Sequence, residues 1–159
     1  MEKILIPSDF SNQSLQLIEY AVLNHPNKVL DIVLVHGYSM PVNYWDQINF
    51  SQKAVIQNLT DEGFMEQLDI LLLEHDSEIN TIKIELFLGT NNLAFKRFVE
   101  QHKIVSAIIP TERLGNFNRK GSFDPTSYIV KCIDNTLEVC LSENEFDISN
   151  LQFSISDLF

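Results

Sequence analysis

The chain has 159 residues, 45% of them hydrophobic and 21% charged, which is typical of one globular domain with a buried core. Its formal net charge of -11 would repel phosphate backbones and anionic lipid headgroups, so nucleic acid and membrane surfaces are excluded as expected partners. No signal-peptide pattern or membrane-length apolar run is found, which predicts a cytoplasmic protein. In that reducing compartment we expect Cys132 and Cys140 to be buried free thiols.

Five strand-like segments alternate with helical patterns along the chain. They are residues 3–7, 29–36, 81–88, 104–110 and 137–141. The order βαβαβαβαβ predicts an α/β fold with an open, five-stranded, mostly parallel sheet and helices on both faces. The third segment alternates apolar and polar residues, which indicates an edge strand with one solvated face. No linker interrupts residues 1–142, so one domain is expected there.

Four helical patterns lie between these strands. The first places apolar residues at helical spacing over residues 15–23. A long second pattern covers residues 47–75, with an irregular middle and a soft point expected at Gly63. The third helix is expected to begin after Asn91 and the fourth after Asp124, because asparagine and aspartate cap helix N-termini.

The C-terminal segment, residues 143–159, has a different pattern from the rest of the chain. It begins with acidic residues and then alternates Leu151, Phe153 and Ile155 with polar residues. Leaving these side chains in water would be unfavourable. We therefore expect a C-terminal extension that adds a strand to the edge of its own sheet or to a partner.

Two short segments carry a resemblance to a known family. ILIPSDFS at residues 4–11 resembles the first strand and Pro-Ser/Thr-Asp turn of universal stress proteins, and LVH at residues 34–36 resembles the end of their second strand. The resemblance covers residues 1–142 and implies a Rossmann-like sheet of the adenine nucleotide alpha hydrolase type. Nucleotide-binding members carry a glycine motif after the fourth strand, and its four positions fall here on Glu112, Gly115, Pro125 and Thr126.

This resemblance implies ATP or AMP as the candidate ligand. The implied binding residues are Pro7, Asp9, Val35, Gly115, Thr126 and Ser127. Asp9 would face the adenosine, Gly115 would let the backbone approach phosphate, and Thr126 would offer a hydroxyl at a helix N-terminus. The alternative for Asp9 is a cap or turn residue at the start of the first helix. Only half of the motif positions match, so the sequence commits to no cofactor.

The mismatched positions weaken the phosphate half of the motif. Glu112 places a carboxylate where the family has glycine, and Pro125 removes an amide donor. Asp124 can itself occupy the helix N-terminus and satisfy the amides that a phosphate would use. The same loop carries three cations, Arg113, Arg119 and Lys120. These cations would offset the negative charge if they pointed inward, and otherwise form a solvated surface.

Two further features have open interpretations. Tyr44, Trp45 and Phe50 form either an exposed aromatic patch over the cleft or the core packing of a helix start. The loop over residues 111–124 is rich in glycine, asparagine and charged residues, and the sequence leaves its order without a ligand undecided.

Three functions follow as alternatives. The first is a non-catalytic regulatory or stress-response module that binds an adenine nucleotide weakly and, as the resemblance implies, forms a homodimer through the fifth strand or the C-terminal extension. The second is an interaction protein that has lost nucleotide binding, its cleft filled by its own side chains. The third, a nucleotide hydrolase, has no paired histidines or metal-binding carboxylates to support it. The four histidines fall on separate elements, so no metal site is expected.

Overall fold

The computed structural model describes residues 1–141, so the C-terminal extension predicted over residues 143–159 lies outside the described residues. The strands are β1 Glu2–Pro7, β2 Leu30–Tyr38, β3 Ile79–Phe87, β4 Ser106–Pro110, β5 Ser122–Phe123 and β6 Thr136–Val139. The helices are α1 Gln16–Leu23, α2 Tyr44–Ile48, α3 Gln52–Leu59, α4 Glu62–Glu74, α5 Asn92–Gln101 and α6 Thr126–Cys132. Two short 3₁₀ helices cover Gln13–Leu15 and Gly115–Asn118.

Five of the strands form a parallel sheet in the order β3-β2-β1-β4-β6. The predicted α/β fold and the edge position of β3 are therefore confirmed. The sequence did not predict β5, which is antiparallel to the end of β2 and pairs Phe123 with Gly37. On its other side Gly37 pairs with Phe87 of β3, and β1 ends its pairing at Val35. Strand β2 extends past the end of β1, and β5 pairs with this extension on the side where β1 has ended.

The sheet buries apolar side chains on both faces, as expected for parallel strands. Along β1, Ile4 and Ile6 point to the core formed with α1 and α4, and Leu5 points to the core formed with α5 and α6. All three side chains are fully buried. Burial of each such side chain contributes on the order of 1.5–3 kcal/mol, so the two apolar layers fix β1 at the centre of the sheet.

The long helical pattern divides into three helices at capping residues. The side chain of Ser51 accepts a hydrogen bond from the Ala54 amide at 3.2 Å and starts α3, and that of Asp61 accepts one from the Phe64 amide at 2.7 Å and starts α4. The irregular middle was predicted correctly, but the soft point was wrong, because Gly63 lies inside the first turn of α4. None of the helices in residues 1–141 is long and apolar enough to cross a membrane.

Other local expectations had mixed outcomes. Asn91 caps α5 as predicted, accepting a hydrogen bond from the Ala94 amide at 2.8 Å. Both cysteines are free thiols, but their predicted burial was wrong, because Cys132 is half-buried and Cys140 is exposed. Cys140 directly follows β6, which has a neighbouring strand on one side only among the described residues. That edge position leaves the Cys140 thiol accessible.

Candidate functional site

The candidate site lies beyond the carboxyl ends of β1, β2 and β4. The strand order reverses between β1 and β4, and open α/β sheets bind ligands at such a switch point. Two segments meet there: the turn after β1 and the long loop after β4. We call residues 111–125 the cleft loop.

Asp9 connects the turn after β1 to the cleft loop. Its side chain is buried, with an exposed fraction of 1%. One carboxylate oxygen accepts hydrogen bonds from the Ser11 amide at 3.1 Å and from the Ser11 hydroxyl. The other accepts one from the Asn116 amide at 2.9 Å. The carboxylate that the sequence assigns to a ligand therefore stabilises the protein's own backbone.

Phe10 turns the chain sharply after Asp9. Its φ of 63° lies in the left-handed region, which costs a non-glycine residue on the order of 1–2 kcal/mol. Two contacts offset this cost: the Phe10 amide donates to the Ser8 hydroxyl at 3.1 Å, and the ring stacks on His36 with centroids 4.6 Å apart. The strained turn directs the buried Phe10 ring into the cleft.

His36 is the central polar group of the cleft and is fully buried. Its Nδ1 lies 2.8 Å from the Ser8 carbonyl oxygen and its Nε2 lies 2.7 Å from the Ser122 hydroxyl. Because a carbonyl only accepts, Nδ1 carries the proton, and in the neutral ring Nε2 accepts from Ser122. Burial lowers the pKa of His36, and the Ser8 carbonyl and the Asp9 charge oppose that effect. The ring is therefore held neutral at physiological pH.

The cleft loop packs into the cleft through its own apolar side chains. Leu114 and Phe117 are buried, and the Phe117 ring stacks on His36 at a centroid distance of 5.1 Å. Arg119, for which the sequence left inward charge balance and a solvated surface as alternatives, is half-buried and donates to the Leu59 carbonyl at the end of α3. The loop is thus tied to β1, β2 and α3, and it fills the space beside His36.

A cavity of about 340 Å³ lies between the two ends of the cleft loop. It is lined by Pro110, Thr111, Glu112, Arg113, Asp124, Thr126 and Ser127. The Asp124 carboxylate accepts from the Thr126 amide at 2.9 Å and from the Thr126 hydroxyl. Arg113 approaches the same carboxylate, with Nε at 3.6 Å from Oδ2. Asp124 therefore occupies the amide and the hydroxyl of Thr126 at the start of α6, as expected, but Pro125 and not Asp124 is the N-cap residue of that helix.

The structure separates the six residues that the sequence proposed for binding. Thr126 and Ser127 line the cavity, whereas Pro7, Asp9 and Val35 are buried and are not among its lining residues. The Val35 carbonyl accepts a hydrogen bond from the Ser8 amide at 2.9 Å. Their roles in binding remain predictions.

Gly115, the sixth of these residues, is exposed at the start of a 3₁₀ helix. A Cβ added at Gly115 would meet no atom within 4 Å. This conformation does not require glycine, so the structure gives no physical reason for a glycine there.

Sequence reasoning missed three residues that shape the cleft. His36, Phe117 and Ser122 form its polar and aromatic centre, although they are far apart along the chain. The available signal was His36 itself, a polar residue that ends the apolar run of β2. A buried polar group needs hydrogen-bond partners, and those partners come from segments distant in sequence.

The aromatic residues after β2 divide between packing and exposure. Phe50 is half-buried and stacks on Tyr38 with ring centroids 6.1 Å apart. Tyr44 and Trp45 are exposed on α2. The predicted exposure is therefore confirmed for these two residues, whereas their position over the cleft stays a prediction.

Glu19, Glu74 and His75 form a cluster of metal-ligand types away from the cleft. Their ligand atoms lie within 4.8 Å of one another, and His75 Nδ1 lies 3.2 Å from a carboxylate oxygen of Glu78. Histidine next to carboxylates suits zinc and other transition metals. Because acidic side chains commonly cluster at surfaces without an ion, the cluster alone does not identify a metal site.

No protein-family model and no curated protein matches this chain. Among solved structures, the hypothetical protein MJ0577 is similar with a TM-score of 0.54 and 18% identity, covering 90% of this chain and 98% of that one. A universal stress protein from Archaeoglobus fulgidus has a TM-score of 0.49 and 11% identity, with coverages of 89% and 94%. A universal stress protein in complex with cAMP has a TM-score of 0.49 and 12% identity, with coverages of 89% and 98%.

The similarity to MJ0577 shows that this chain has the same α/β fold. Universal stress proteins are among the solved structures that the chain resembles, as the sequence predicts. At these identities the likeness concerns the fold alone. Function must therefore be argued from the residues of the cleft.

Proposed function

We propose that this chain is a cytoplasmic, non-catalytic regulatory or stress-response module of the universal stress protein type whose nucleotide cleft is closed by its own cleft loop. The observation that carries this proposal is the Asp9 carboxylate, which is buried and accepts the Asn116 amide of that loop. Phe117 fills the adjoining space against His36. Of the functions inferred from sequence, this geometry favours an interaction module over a nucleotide-dependent one.

Binding of ATP or AMP would require the cleft loop to rearrange. The ligand would have to displace the Asn116 amide from Asp9 and the Thr126 amide from Asp124, and each hydrogen bond contributes about 1 kcal/mol net. The open cavity, about 340 Å³, is near the lower limit for ligand pockets, and Glu112 and Asp124 give it two carboxylates. Adenine nucleotide binding is therefore expected to be weak.

The absence of catalysis is part of the same proposal. His36 would be the natural general base at the cleft, but both of its ring nitrogens are hydrogen-bonded within the protein. The Thr126 hydroxyl is likewise bonded to Asp124. Groups committed in this way cannot transfer protons to a substrate without first breaking these contacts.

Calorimetric titration of nucleotide-free protein with ATP and AMP, with and without magnesium, tests the closed cleft. We expect no binding heat for the wild type below millimolar nucleotide. Asp124→Ala frees the Thr126 amide and hydroxyl and removes a negative charge, so it should bind at least about tenfold more tightly, a gain of about 1.4 kcal/mol.

The control for this titration is Asp134→Ala, which removes the same charge at an exposed position between α6 and β6, away from the cavity lining. It should leave nucleotide binding unchanged. Micromolar affinity in the wild type would show that the cleft is open and would contradict the proposal. An equal gain in both variants would show that net charge, and not the contacts between Asp124 and Thr126, controls binding.

We further propose a homodimer that forms through the outer edge of β6. This strand pairs only with β4 among the described strands, and Leu137 and Glu138 are exposed on it. An unpaired edge can accept a strand from a second copy. Within residues 1–141, no strand pairs with the outward backbone groups of β6. This unpaired edge supports the assembly.

A further inference from the structure

The segment after β2 exposes several large apolar side chains. We call residues 40–48 the apolar surface; its exposed members are Met40, Val42, Tyr44, Trp45 and Ile48. The exposed fractions reach 96% for Val42, 70% for Trp45 and 69% for Tyr44. Asp46 is the only charged residue in the segment. Five exposed apolar side chains within nine consecutive residues are typical of an interaction site.

Local contacts hold this segment in a defined conformation. The Asn43 side chain accepts a hydrogen bond from the Trp45 amide at 2.8 Å and caps α2. The Gln47 side chain donates to the Pro41 carbonyl at 2.7 Å. The segment is therefore fixed at the carboxyl edge of the sheet while its apolar side chains remain exposed.

The C-terminal segment has the composition to cover such a surface. Residues 142–159 contain seven large apolar residues, Phe146, Ile148, Leu151, Phe153, Ile155, Leu158 and Phe159. They also contain four acidic residues and no lysine or arginine. Exposure of all seven apolar side chains would be unfavourable by roughly 1.5–3 kcal/mol each.

The course of the chain brings this segment to the correct edge. Because β6, β4, β1 and β2 are parallel, β6 ends at the same edge of the sheet at which β2 leads into the apolar surface. Strands β6 and β2 lie three strand spacings apart, or about 14 Å, since neighbouring strands are about 4.8 Å apart. Eighteen extended residues span up to about 59 Å. The segment can reach the apolar surface easily.

The chain leaves β6 on the face of the sheet that α1 and α4 cover. The Tyr20 hydroxyl of α1 donates to the Cys140 carbonyl at 3.3 Å, and Leu141 packs against the core under α1 and α4. The loop after β4, at the same edge, carries exposed cations at Arg113, which also approaches Asp124, and at Lys120, and these can complement an acidic segment.

We propose that residues 142–159 bind back onto the apolar surface of the same chain. The seven apolar residues would cover Tyr44, Trp45 and their neighbours, and the acidic residues would face the cations around the cleft. A protein partner of this surface would then have to displace the segment, which makes the segment an internal competitor. This inference is independent of nucleotide binding.

Trp45 is the only tryptophan in the chain, so its fluorescence reports on the apolar surface directly. The test compares acrylamide quenching of the full-length wild type with that of the full-length triple variant Leu151→Ser, Phe153→Ser and Ile155→Ser. The quenching constant should increase severalfold in this variant, and the emission should shift to the red. The matched control carries Gln152→Ala, Ser154→Ala and Ser156→Ala. It changes the polar residue that follows each of these apolar residues and should behave as the wild type.

Equal quenching in the wild type and the apolar triple variant would overturn the proposal. Protection of Trp45 that disappears on dilution would identify a second copy as the occupant and would also overturn it. Circular dichroism of each variant checks that the fold is retained.

A second measurement changes the apolar surface instead of the C-terminal segment. Tyr44→Ser with Ile48→Ser should accelerate chymotryptic cleavage after Phe153, as followed by mass spectrometry, because the segment loses its docking surface. Val130→Ser, on the exposed side of α6, is the control and should leave the rate unchanged. Equal cleavage rates in wild type and in the double variant would contradict docking on this surface.

Discussion

His36 connects three segments of the cleft through one neutral ring. Its two nitrogens bind the turn after β1 and β5, and its faces contact the rings of Phe10 and Phe117. The charged groups that act on it are Asp9, Arg119 and Asp124. Protonation would place a positive charge in this buried environment and would take away the acceptor for the Ser122 hydroxyl. The stability of the closed cleft should therefore depend on pH.

The sign of that dependence follows from the lowered pKa of His36. In the unfolded chain the group titrates near its ordinary value of 6.5, whereas burial lowers the pKa in the folded state. Between the two values the unfolded state binds more protons. The stabilisation of the folded state by neutral His36 is therefore complete above about pH 6.5 and is lost as the pH falls below that value. We expect the free energy of unfolding by urea to decrease from pH 7 to pH 5.

A His36→Gln variant isolates this effect from the titration of other groups. The stability difference between wild type and this variant should shrink as the pH falls from 7 to 5. His102→Gln, at a half-buried histidine that follows α5, is the matched control for the loss of one imidazole. A difference between wild type and His36→Gln that stays constant over this range would contradict the assignment.

At the scale of elements, local signals predicted most of the sheet and some of the helix ends. The apolar runs located β1 to β4 and β6, because burial on both faces leaves a clear pattern in sequence. The two-residue β5 has no such pattern and exists only because it pairs with β2. Asp61 began α4 where Gly63 had been expected to interrupt it, since a capping aspartate sets the boundary more strongly than a glycine within the first turn.

The same distinction separates the two halves of the candidate site. The contact between Asp124 and Thr126 spans two residues, so local reasoning predicted it. The contact between Asp9 and Asn116 joins residues 107 positions apart, and no local pattern encodes such a pairing. The sequence therefore allowed a cleft filled by its own side chains as one alternative, but it could not predict which residues make the contact.

The end of α5 gives a prediction with opposite signs at two positions. Lys103 is exposed and adopts a φ of 55°, and the next amide, that of Ile104, donates to the Val99 carbonyl at 3.0 Å. Glycine adopts this conformation without the penalty of a side chain. Lys103→Gly should therefore raise the free energy of unfolding by about 1 kcal/mol. Lys96→Gly, in the exposed middle of the same helix, should lower it by about 1 kcal/mol.

Thermal and urea unfolding of both variants measure these two effects. Because each variant removes one exposed lysine, the change in net charge is the same and does not explain a difference in sign. If both variants lost stability equally, the left-handed conformation at Lys103 would not be the determinant of this helix end.

At the scale of the whole molecule, the sheet has two different edges. The β3 edge carries polar residues on an exposed or half-buried face, including Thr81, Lys83 and Glu85. The β6 edge is short, exposes Leu137 and one charged residue, Glu138, and the described chain leaves it at Leu141. Charged side chains on an edge oppose strand addition, so the β6 edge is the better surface for a second copy.

The backbone of β6 shows which residue to change. The Asn135 and Val139 carbonyls accept hydrogen bonds from β4 and from Thr111, so the odd-numbered residues of this parallel strand face β4. The amide of Glu138 therefore points to the outer edge. Glu138→Pro removes that donor while keeping the pairing with β4, and proline is tolerated at such edge positions.

We expect Glu138→Pro to convert a dimer to a monomer in multi-angle light scattering at a fixed protein concentration. Glu138→Thr removes the same charge but retains the amide, so it should remain dimeric and serves as the control. A monomeric wild type, or a Glu138→Pro variant that keeps the mass of a dimer and its fold, would contradict assembly through β6. If Glu138→Thr also became monomeric, side-chain contacts rather than strand addition would hold the two copies together.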